Sequence, residues 1–505
     1  MAQGFLPFQY EVESRSGGMT ALAGLPMYLE FAHVMGLRRL ISEHVEVRAG
    51  NQGWTDDQMI MALVLLNLAG GDCVDDLRVL EGDEGFCRLL GEFEFYGRTR
   101  SEKRALKRRW RKERTRTVPS PTAMREYLEL FHDPEQDKLR APHEAFIPEP
   151  SRLVAALVRL IGAFAAAVQR RSPQTTATLD MDATLVETCK KAALYCYKKF
   201  KAYQPLNVYW AEMGLMLFSE FRDGNVPAGY DLLRPFKQAL ELVPAGVKKI
   251  YLRSDTAGYV VDLLKYCAEG KSERFGVIEF AVGVDVTEWY RLAVREVAEA
   301  DWHHLFRVVD GKLEDTGQQW AEVCFVPAWV GNKKHGPTYL YLAIREPLEQ
   351  QALPSMEEQV SLPFPTMNWG GVKYKVTGIV TNRDLPGDEL IWWYRGRCGK
   401  SEEAHSIMKE DLAGGKLPSQ LFGTNAAWWQ IMILAFNVQS AMKRLVLGES
   451  WVSRRMKAVR FRLINLPGRV LERGRQLFVR LAGGHPSNEI LFAARRRMAH
   501  LWDSG

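Results

Sequence analysis

Residues 176–186 read TATLDMDATLV, and their pattern sets the expected fold class. Apolar and polar residues alternate with a period of two, which predicts a β-strand. Asp180 and Asp182 lie two positions apart and therefore point to the same face of that strand. Two carboxylates on an otherwise apolar strand are costly to bury unless they are functional or paired. The pattern favours a functional acidic pair, and the alternative is a pair of turn or surface carboxylates.

The residues that follow continue as a mixture of strands and helices. The predicted elements, in chain order, are strands at 207–210 and 213–220, a helix at 231–242, a strand at 248–255, a helix at 257–268 and a strand at 275–284. Three strands therefore precede the first helical crossover. This order predicts an α/β fold with a mixed sheet.

The rest of the chain divides around this core by pattern. Helical periodicity dominates before a proline-rich linker near 142–150, several strand-like runs fill 285–390, and helical pattern then resumes. We expect five segments: a helical region at 1–150, the first part of the core at 151–284, a β-rich insertion at 285–390, the second part of the core at 391–447, and a basic helical region at 448–505.

Composition bounds the class of protein. The chain has 505 residues, of which 47% are hydrophobic, so it can bury a large core and is not mainly disordered. The longest apolar run, 153–168, is interrupted by Arg159 and is interpreted as a buried helix, with no membrane expected as a partner. The start of the sequence lacks the pattern of a secretory signal. Seven dispersed cysteines without a CxxC pair favour free thiols in the cytoplasm over a disulfide or zinc framework.

Positive charge is concentrated in two blocks, although the formal net charge is only +6. The first basic block (98–116) has eleven Lys/Arg and two Glu, and the second (443–498) has fourteen Lys/Arg and three Glu. Leu106 and Trp110 have helical spacing, so the first block can pack on one face and offer cations to phosphates on the other. A solvated basic face is the alternative. The candidate DNA-binding residues are Arg104, Lys107, Arg108, Arg111, Arg460 and Arg462.

A short helix is expected directly after the first basic block. Residues 119–122 read PSPT, and Ser120 or Thr122 could cap a helix that begins there. A basic segment leading into a capped helix suits a helix-turn-helix-like reader of DNA, although any capped helix has the same pattern.

Further acidic residues stand at element ends. Asp255 ends the strand at 248–255, where it is equally well interpreted as a helix cap. Residues 394–412 read YRGRCGKSEEAHSIMKEDL, in which Glu402 and Lys409 are seven apart and share a helical face, whereas Glu403 is not aligned with Lys409. An exposed helix of mixed charge is the alternative.

Together these carboxylates suggest a chemistry. Three carboxylates from separate elements can hold two divalent cations about 3.5–4 Å apart. Oxygen ligands suit Mg²⁺, with Mn²⁺ as a substitute. With two basic blocks around such a core, the sequence points to metal-dependent phosphodiester chemistry on DNA.

Several motifs together resemble a known family. They are LDMDAT (179–184), YLRSDTAGY (251–259), YRGRCGKSEEAHSIMKEDLAGG (394–415), NAAWW (425–429) and VRFRLINLPGR (459–469). In order and spacing the chain resembles the bacterial insertion-sequence DDE transposases and, more narrowly, the insertion-sequence 1380 family. The resemblance implies a ribonuclease-H-like catalytic core, a helical N-terminal DNA-binding region and two Mg²⁺ ions per active site.

The resemblance also implies roles for particular residues. Asp182 matches the first aspartate of an Asp-x-Thr pattern, with Asp180 as the fallback, and Asp255 matches the second. Glu402 would be the third carboxylate, in a Tyr-Arg-Glu-Lys signature formed with Tyr394, Arg397 and Lys409, and these three residues are further candidates for DNA binding. The usual signature has three residues between Arg and Glu, but here there are four, which leaves Glu403 open. The Glu-to-Lys interval favours Glu402.

The expected function follows from these roles. The resemblance implies a transposase that binds terminal inverted repeats, cleaves a strand and joins the 3′-OH end to target DNA, as a homodimer on double-stranded DNA in the bacterial nucleoid. Trp320 and Trp329, in the expected insertion, are candidates to stack on an extruded base, with core packing as the alternative. The competing functions are an inactive or domesticated DNA-binding relative and a nuclease that never joins strands.

Overall fold

The structure, a computed structural model, describes residues 17–48, 50, 52–327, 339–348 and 364–503. The described N-terminal part begins with a short strand, β1 (Met19–Thr20), and is otherwise helical as expected. Its helices are α1 (Pro26–Val34), α2 (Leu37–His44), α3 (Asp56–Ala69), α4 (Leu77–Gly82), α5 (Glu84–Phe95), α6 (Arg100–Arg108), α7 (Pro121–Glu129), α8 (Pro134–Lys138) and α9 (Arg152–Arg171).

The stretch around the acidic pair forms β2 (Thr176–Ala183), and a mixed α/β core follows it as expected. The next elements are β3 (Val186–Glu187), β4 (Leu194–Tyr195), β5 (Lys201–Tyr203), β6 (Leu206–Trp210), β7 (Leu215–Glu220), α10 (Leu233–Leu242), β8 (Lys249–Ser254), α11 (Val261–Ala268) and β9 (Glu279–Val284). β3, β4 and β5 form a small separate sheet that the sequence pattern did not predict.

The region between the core and the glutamate helix contains strands, as expected from its alternating pattern. Its elements are α12 (Glu288–Arg295), β10 (His303–Val309), β11 (Lys312–Val323), β12 (Leu340–Pro347), β13 (Thr366–Trp369) and β14 (Val372–Thr381). These strands do not form a sheet of their own, because β14 pairs with β9 and extends the core sheet.

One ten-stranded mixed sheet therefore crosses the molecule, in the order β10-β11-β12-β14-β9-β8-β2-β6-β7, with β13 paired to β14. β2, β8 and β9 run parallel to one another, and β6 and β7 form an antiparallel meander beside β2. The carboxyl ends of β2 and β8 consequently lie next to each other at one edge of the sheet, which is where ligands bind in sheets of this kind.

The C-terminal half supplies the helices that cover this sheet. They are α13 (Gly387–Arg395), α14 (Lys400–Ser406) with a π-helical turn at Ile407–Asp411, α15 (Phe422–Met442), α16 (Glu449–Val452) and α17 (Met456–Val459). Every position of α15 except Ser440 is buried, which explains its lack of an amphipathic pattern. α15 packs against α3, α7, α9 and β7 and so joins the N-terminal helices to the sheet.

The long apolar helix α9 is part of this core. By length and composition it is the one helix among the described residues that could cross a membrane. In the structure, 61% of its apolar window is buried, against α15 and β7, as the interpretation of a buried helix requires.

The C-terminal region is not wholly helical, which corrects the prediction for residues 448–505. The helical spacing of Val459, Leu463, Leu466 and Val470 ends at Pro467, since proline cannot continue a helix. A hairpin of β15 (Gly468–Arg473) and β16 (Gln476–Leu481) follows, and α18 (Ser487–Asp503) ends the described chain. Gly474 and Arg475 both have positive φ, as a two-residue hairpin turn requires. β15 also pairs with β1.

Candidate active site

Two of the predicted acidic residues lie side by side at the sheet edge. β2 and β8 are parallel neighbours in which Met181 pairs with Ser254, so Asp182 and Asp255 are the next residues on adjacent strands. Asp182 is half-buried near the carboxyl end of β2, directly after a run of buried residues. Asp255 caps the turn that follows β8, where its Oδ1 accepts a hydrogen bond of 3.1 Å from the Ala257 N–H. The cap role predicted as an alternative is thus present together with the placement beside Asp182.

Glu402 joins these two residues from helix α14. Burial, then the negative charge of Asp255, and also that of Glu402 raise the pKa of Asp182 from 3.8 to about 7, while Arg397 acts in the opposite direction. The charges of Asp255 and Glu402, which the sequence assigned to separate elements, therefore both act on Asp182. Such mutual repulsion in a partly buried place is typical of a functional site.

The cations of the expected signature surround the same carboxylates. One guanidinium nitrogen of Arg397 lies 3.6 Å from Asp182 Oδ2. Burial lowers the pKa of Lys409, and the charges of Glu410 and Asp182 oppose that shift. Burial raises the pKa of Tyr394 to about 12, so its hydroxyl stays protonated beside Arg397 and Asp255. Lys409 lies in the π-helical turn that follows α14.

Asp180, the fallback candidate, lies on the same strand face but is occupied by another partner. Arg253 donates two hydrogen bonds to its carboxylate, from Nε at 2.6 Å and from NH2 at 2.9 Å, and the pair is buried. Arg253 also donates to the Trp393 carbonyl at 2.6 Å. Arg253 thus fastens Asp180 of β2 to β8 and to the end of α13, and the fallback role of Asp180 as a metal ligand stays a prediction.

Sequence reasoning missed Arg253 and His405. Arg253 pairs with Asp180 across the parallel register of β2 and β8, which no local pattern reveals. His405 lies one helical turn after Glu402 and its Nδ1 is 3.9 Å from Asp182 Oδ2. The spacing of Glu402 and His405 by three on a helix was the available signal. Burial, with the charges of Lys409 and Arg397, lowers the pKa of His405 to about 3, so the ring is neutral.

The donor set suits the divalent cations that the resemblance implies. Asp182, Asp255 and Glu402 offer only oxygen ligands, the type that Mg²⁺ and Mn²⁺ prefer, and their repulsion would be relieved by added positive charge. In the described part of the chain, no three such side chains are already gathered around one point. Glu402 Oε2 instead accepts a hydrogen bond of 2.6 Å from the Gly399 N–H and so caps its own helix.

The predicted DNA-binding cations divide into two groups. Arg104, Lys107, Arg108 and Arg111 are exposed on or just after α6, while Leu106 and Trp110 pack inward as their spacing predicted. Arg462 is exposed near the C-terminal hairpin. Arg460 is different, because its guanidinium donates to the backbone carbonyls of Leu68, Asn67 and Asp411 inside the protein.

The helix after the first basic block is present and begins with a cap from Ser120. The Ser120 Oγ accepts a hydrogen bond of 3.2 Å from the Ala123 N–H at the start of α7. Residues 109–120 separate α6 from α7 without a helix of their own, and α7 packs its buried face on α15. This helix therefore supports the core.

Of the two tryptophans proposed for base stacking, the structure describes only Trp320. Trp320 is half-buried in β11 and packs against the apolar cluster under α13. Trp329 lies outside the described residues, so its role stays a prediction.

Replacing Asp182 by Asn is expected to stabilise the metal-free protein at pH 8. A pKa of about 7, above 3.8, means that the folded protein holds this proton more tightly than the unfolded chain does. The resulting stability is fully present below about pH 4 and is lost as the pH rises through about 7, a change of up to about 4 kcal/mol. Urea unfolding with EDTA at pH 5 and pH 8 should show the gap between Asp182→Asn and wild type growing with pH. Asp262→Asn, an exposed carboxylate on α11, is the control, and an equal gap for both variants would contradict the prediction.

Comparison with known proteins now adds to this geometry. The chain matches the family model for transposase DDE domain group 1 over residues 8–322 and 366–503. No curated protein matches it. Among solved structures it is similar to a piggyBac transposase synaptic complex with hairpin DNA, with 12% identity, 96% of this chain and 86% of that chain covered, and a TM-score of 0.44. Because the family model spans most of its length, the chain belongs to the transposase DDE domain group 1 family.

Proposed function

We propose that this DDE transposase binds the terminal inverted repeats of an insertion sequence, cleaves a DNA strand at the element end and joins the 3′-OH to target DNA. The observation that carries the proposal is that Asp182 and Asp255 lie side by side at the ends of the parallel strands β2 and β8, with the charge of Glu402 also acting on Asp182. The cations Arg397 and Lys409 beside them supply the complementary charge that a phosphodiester needs.

We assign the strands β7-β6-β2-β8-β9 to a ribonuclease-H-like core and the chain to the insertion-sequence 1380 family. The placement of Tyr394, Arg397, Glu402 and Lys409 around Asp182 supports this assignment. The proposed segment boundaries remain near 150, 284, 390 and 447. Double-stranded DNA as partner, a homodimer in the synaptic complex and a place in the bacterial nucleoid are parts of the same proposal.

In this proposal Asp182, Asp255 and Glu402 would hold two Mg²⁺ ions. Bound there, the ions would supply positive charge to the attacking and leaving oxygens of the scissile phosphate. To serve as a ligand, Glu402 would exchange its hydrogen bond from the Gly399 N–H for the metal. Arg397 Nε is buried and has no hydrogen-bond partner among the described residues, so it is a donor available to a phosphate oxygen. Lys409, whose Nζ now donates to the Leu185 carbonyl at 3.3 Å, offers a second donor.

The test is a gel assay of the full chain on DNA that carries the element end, with Mg²⁺ or EDTA. We expect strand cleavage with Mg²⁺ only, and its loss in Asp255→Asn but not in Asp262→Asn, a matched exposed aspartate. Products joined to a target duplex would distinguish a transposase from a nuclease. Tight binding without cleavage under Mg²⁺ or Mn²⁺ would support the inactive DNA-binding relative, and equal cleavage by wild type and Asp255→Asn would overturn the catalytic assignment.

The exposed cations of α6 are expected to contact phosphates. Arg104→Gln or Arg108→Gln should weaken DNA binding by a similar factor on any sequence and reduce the slope of log K against log[salt] by about 1. The control is Arg39→Gln, because Arg39 is exposed on α2 outside both basic blocks. Fluorescence anisotropy from 50 to 200 mM salt measures the slopes. Unchanged slopes in the α6 variants would place the DNA elsewhere.

A further inference from the structure

A chain of buried polar side chains connects the long helix α15 to the acidic site. Trp429 Nε1 donates to Ser219 Oγ at 2.9 Å, and Ser219 Oγ donates to Asn207 Oδ1 at 2.7 Å. Asn207 Nδ2 lies 3.1 Å from His405 Nε2. These four side chains are buried, and each comes from a different element: α15, β7, β6 and α14. We name them the α15 relay.

The strand register places Asn207 of this relay beside Asp182, the proposed catalytic aspartate. Asn207 is the direct antiparallel partner of Asp182 and also of Ser219 on its other side. Directly paired residues of neighbouring strands point to the same face. His405 lies against that face from α14, between Asn207 and Asp182.

The direction of every hydrogen bond in the relay follows from its first member. An indole N–H can only donate, so Ser219 Oγ accepts from Trp429 and has its own proton left to donate to Asn207 Oδ1. The amide group of Asn207 that faces His405 is then the NH₂ group, which makes His405 Nε2 an acceptor. A neutral imidazole with an accepting Nε2 carries its proton on Nδ1. That N–H faces Asp182 Oδ2 at 3.9 Å.

We propose that His405 is a positioning residue, fixed by the α15 relay in the Nδ1–H form so that its N–H faces Asp182 Oδ2 and sets the orientation of this carboxylate. Arg397 approaches the same Oδ2, at 3.6 Å, so both neighbours act on one oxygen. Outer groups that orient a ligating carboxylate change metal affinity and activity by about 10–100-fold. The inference deepens the proposed function and rests on it for the role of Asp182, but the tautomer of His405 is independent of catalysis.

The first arm of the test measures the tautomer on the metal-free full chain. The protein labelled with ¹⁵N at its ten histidines is recorded by long-range ¹H–¹⁵N correlation, and His405→Asn identifies the His405 signals by their disappearance. We expect a single Nδ1–H form in wild type and a mixture of tautomers in Asn207→Leu. An Nε2–H form in wild type overturns the proposal without any variant having to fold, and without bearing on whether the protein cuts DNA.

The second arm measures Mg²⁺-dependent cleavage by His405→Asn and His405→Gln, whose side-chain amides extend to different distances from the helix. Asparagine places its NH₂ where histidine has Nδ1, whereas glutamine places it where histidine has Nε2. We expect His405→Asn to retain cleavage within about fivefold and His405→Gln to lose about 10–100-fold, with equal thermal stability of the two variants as the control. Equal activity of the two variants overturns the positioning role. If wild type itself does not cleave, the proposed function fails while the tautomer result stands separately.

Discussion

Glu402→Gln is expected to lower Mg²⁺-dependent strand cleavage by at least about 100-fold, whereas Glu403→Gln leaves the rate within about threefold. A loss of this size is typical when one group that stabilises charge in the transition state is removed. The two glutamates are adjacent on α14, are both exposed and differ mainly in direction. They are therefore a matched pair for deciding the register of the signature.

The direction of each side chain follows from the groups it acts on. The charge of Glu402 raises the pKa of Asp182, so the two carboxylates act on each other. The charge of Glu403 instead raises the pKa of Tyr209 and that of Lys443, and for Lys443 it opposes the effect of burial. Sequence spacing left both glutamates open, because four residues rather than three separate Arg397 from Glu402. The electrostatic neighbours favour Glu402.

Initial rates of nicking on labelled element-end DNA measure the difference. Binding of the same DNA in EDTA should be equal for both variants, which separates chemistry from recognition. A hundredfold loss in Glu403→Gln with normal cleavage by Glu402→Gln would move the third carboxylate by one residue and leave the two aspartates in place.

Arg253→Met is expected to destabilise the protein by about 3–5 kcal/mol, the usual cost of leaving one member of a buried ion pair without its partner. Asp180 would lose both hydrogen bonds from Arg253, and the Trp393 carbonyl would lose its donor. Burial already raises the pKa of Asp180 against the effect of Arg253. Removing the cation raises it further, so the deficit should be larger at pH 8 than at pH 5.

Urea unfolding at the two pH values measures this effect, and the double variant Asp180→Leu/Arg253→Met is the control. Because it removes both charges, it should recover most of the lost stability. A double variant as unstable as Arg253→Met would contradict the explanation by an unpaired carboxylate. Normal stability of Arg253→Met would mean that the pair contributes little to holding β2 on β8.

The parts of the fold that could be predicted from sequence are those with a local cause. Period-two alternation predicted β2, strand-like runs predicted β6, β7, β8 and β9, and the apolar run at 153–168 predicted α9. Local pattern could not reveal that β14 pairs with β9, because strand partners depend on contacts far apart in sequence. The helical spacing in the second basic block does not continue past Pro467, because proline cannot continue a helix, and the C-terminal hairpin follows.

The same distinction holds in the candidate site. Asp182, Asp255 and Glu402 could be named because acidic residues stand out at element ends and because their motifs resemble a known family; the structure places Asp182 beside Asp255, and the charge of Glu402 acts on Asp182. His405 could have been found from its place one turn after Glu402. Arg253 and Asn207 could not, because their roles depend on cross-strand register. Conversely, Arg460 looked like a DNA contact by charge, but its guanidinium is used by backbone carbonyls.

The packing of α3 on α15 has a consequence for how the protein is made. Ribosomes release the helical N-terminal part first, yet α3, buried from Asp57 to Leu68, has its cover in α15, more than 300 positions later. The emerging chain therefore exposes the face of α3 that α15 covers until most of the chain has been synthesised, the situation in which chaperones are needed. A product cut short before residue 402 would keep the first basic block but would lack both Glu402 and α15, and we expect it to be degraded rather than to compete for DNA.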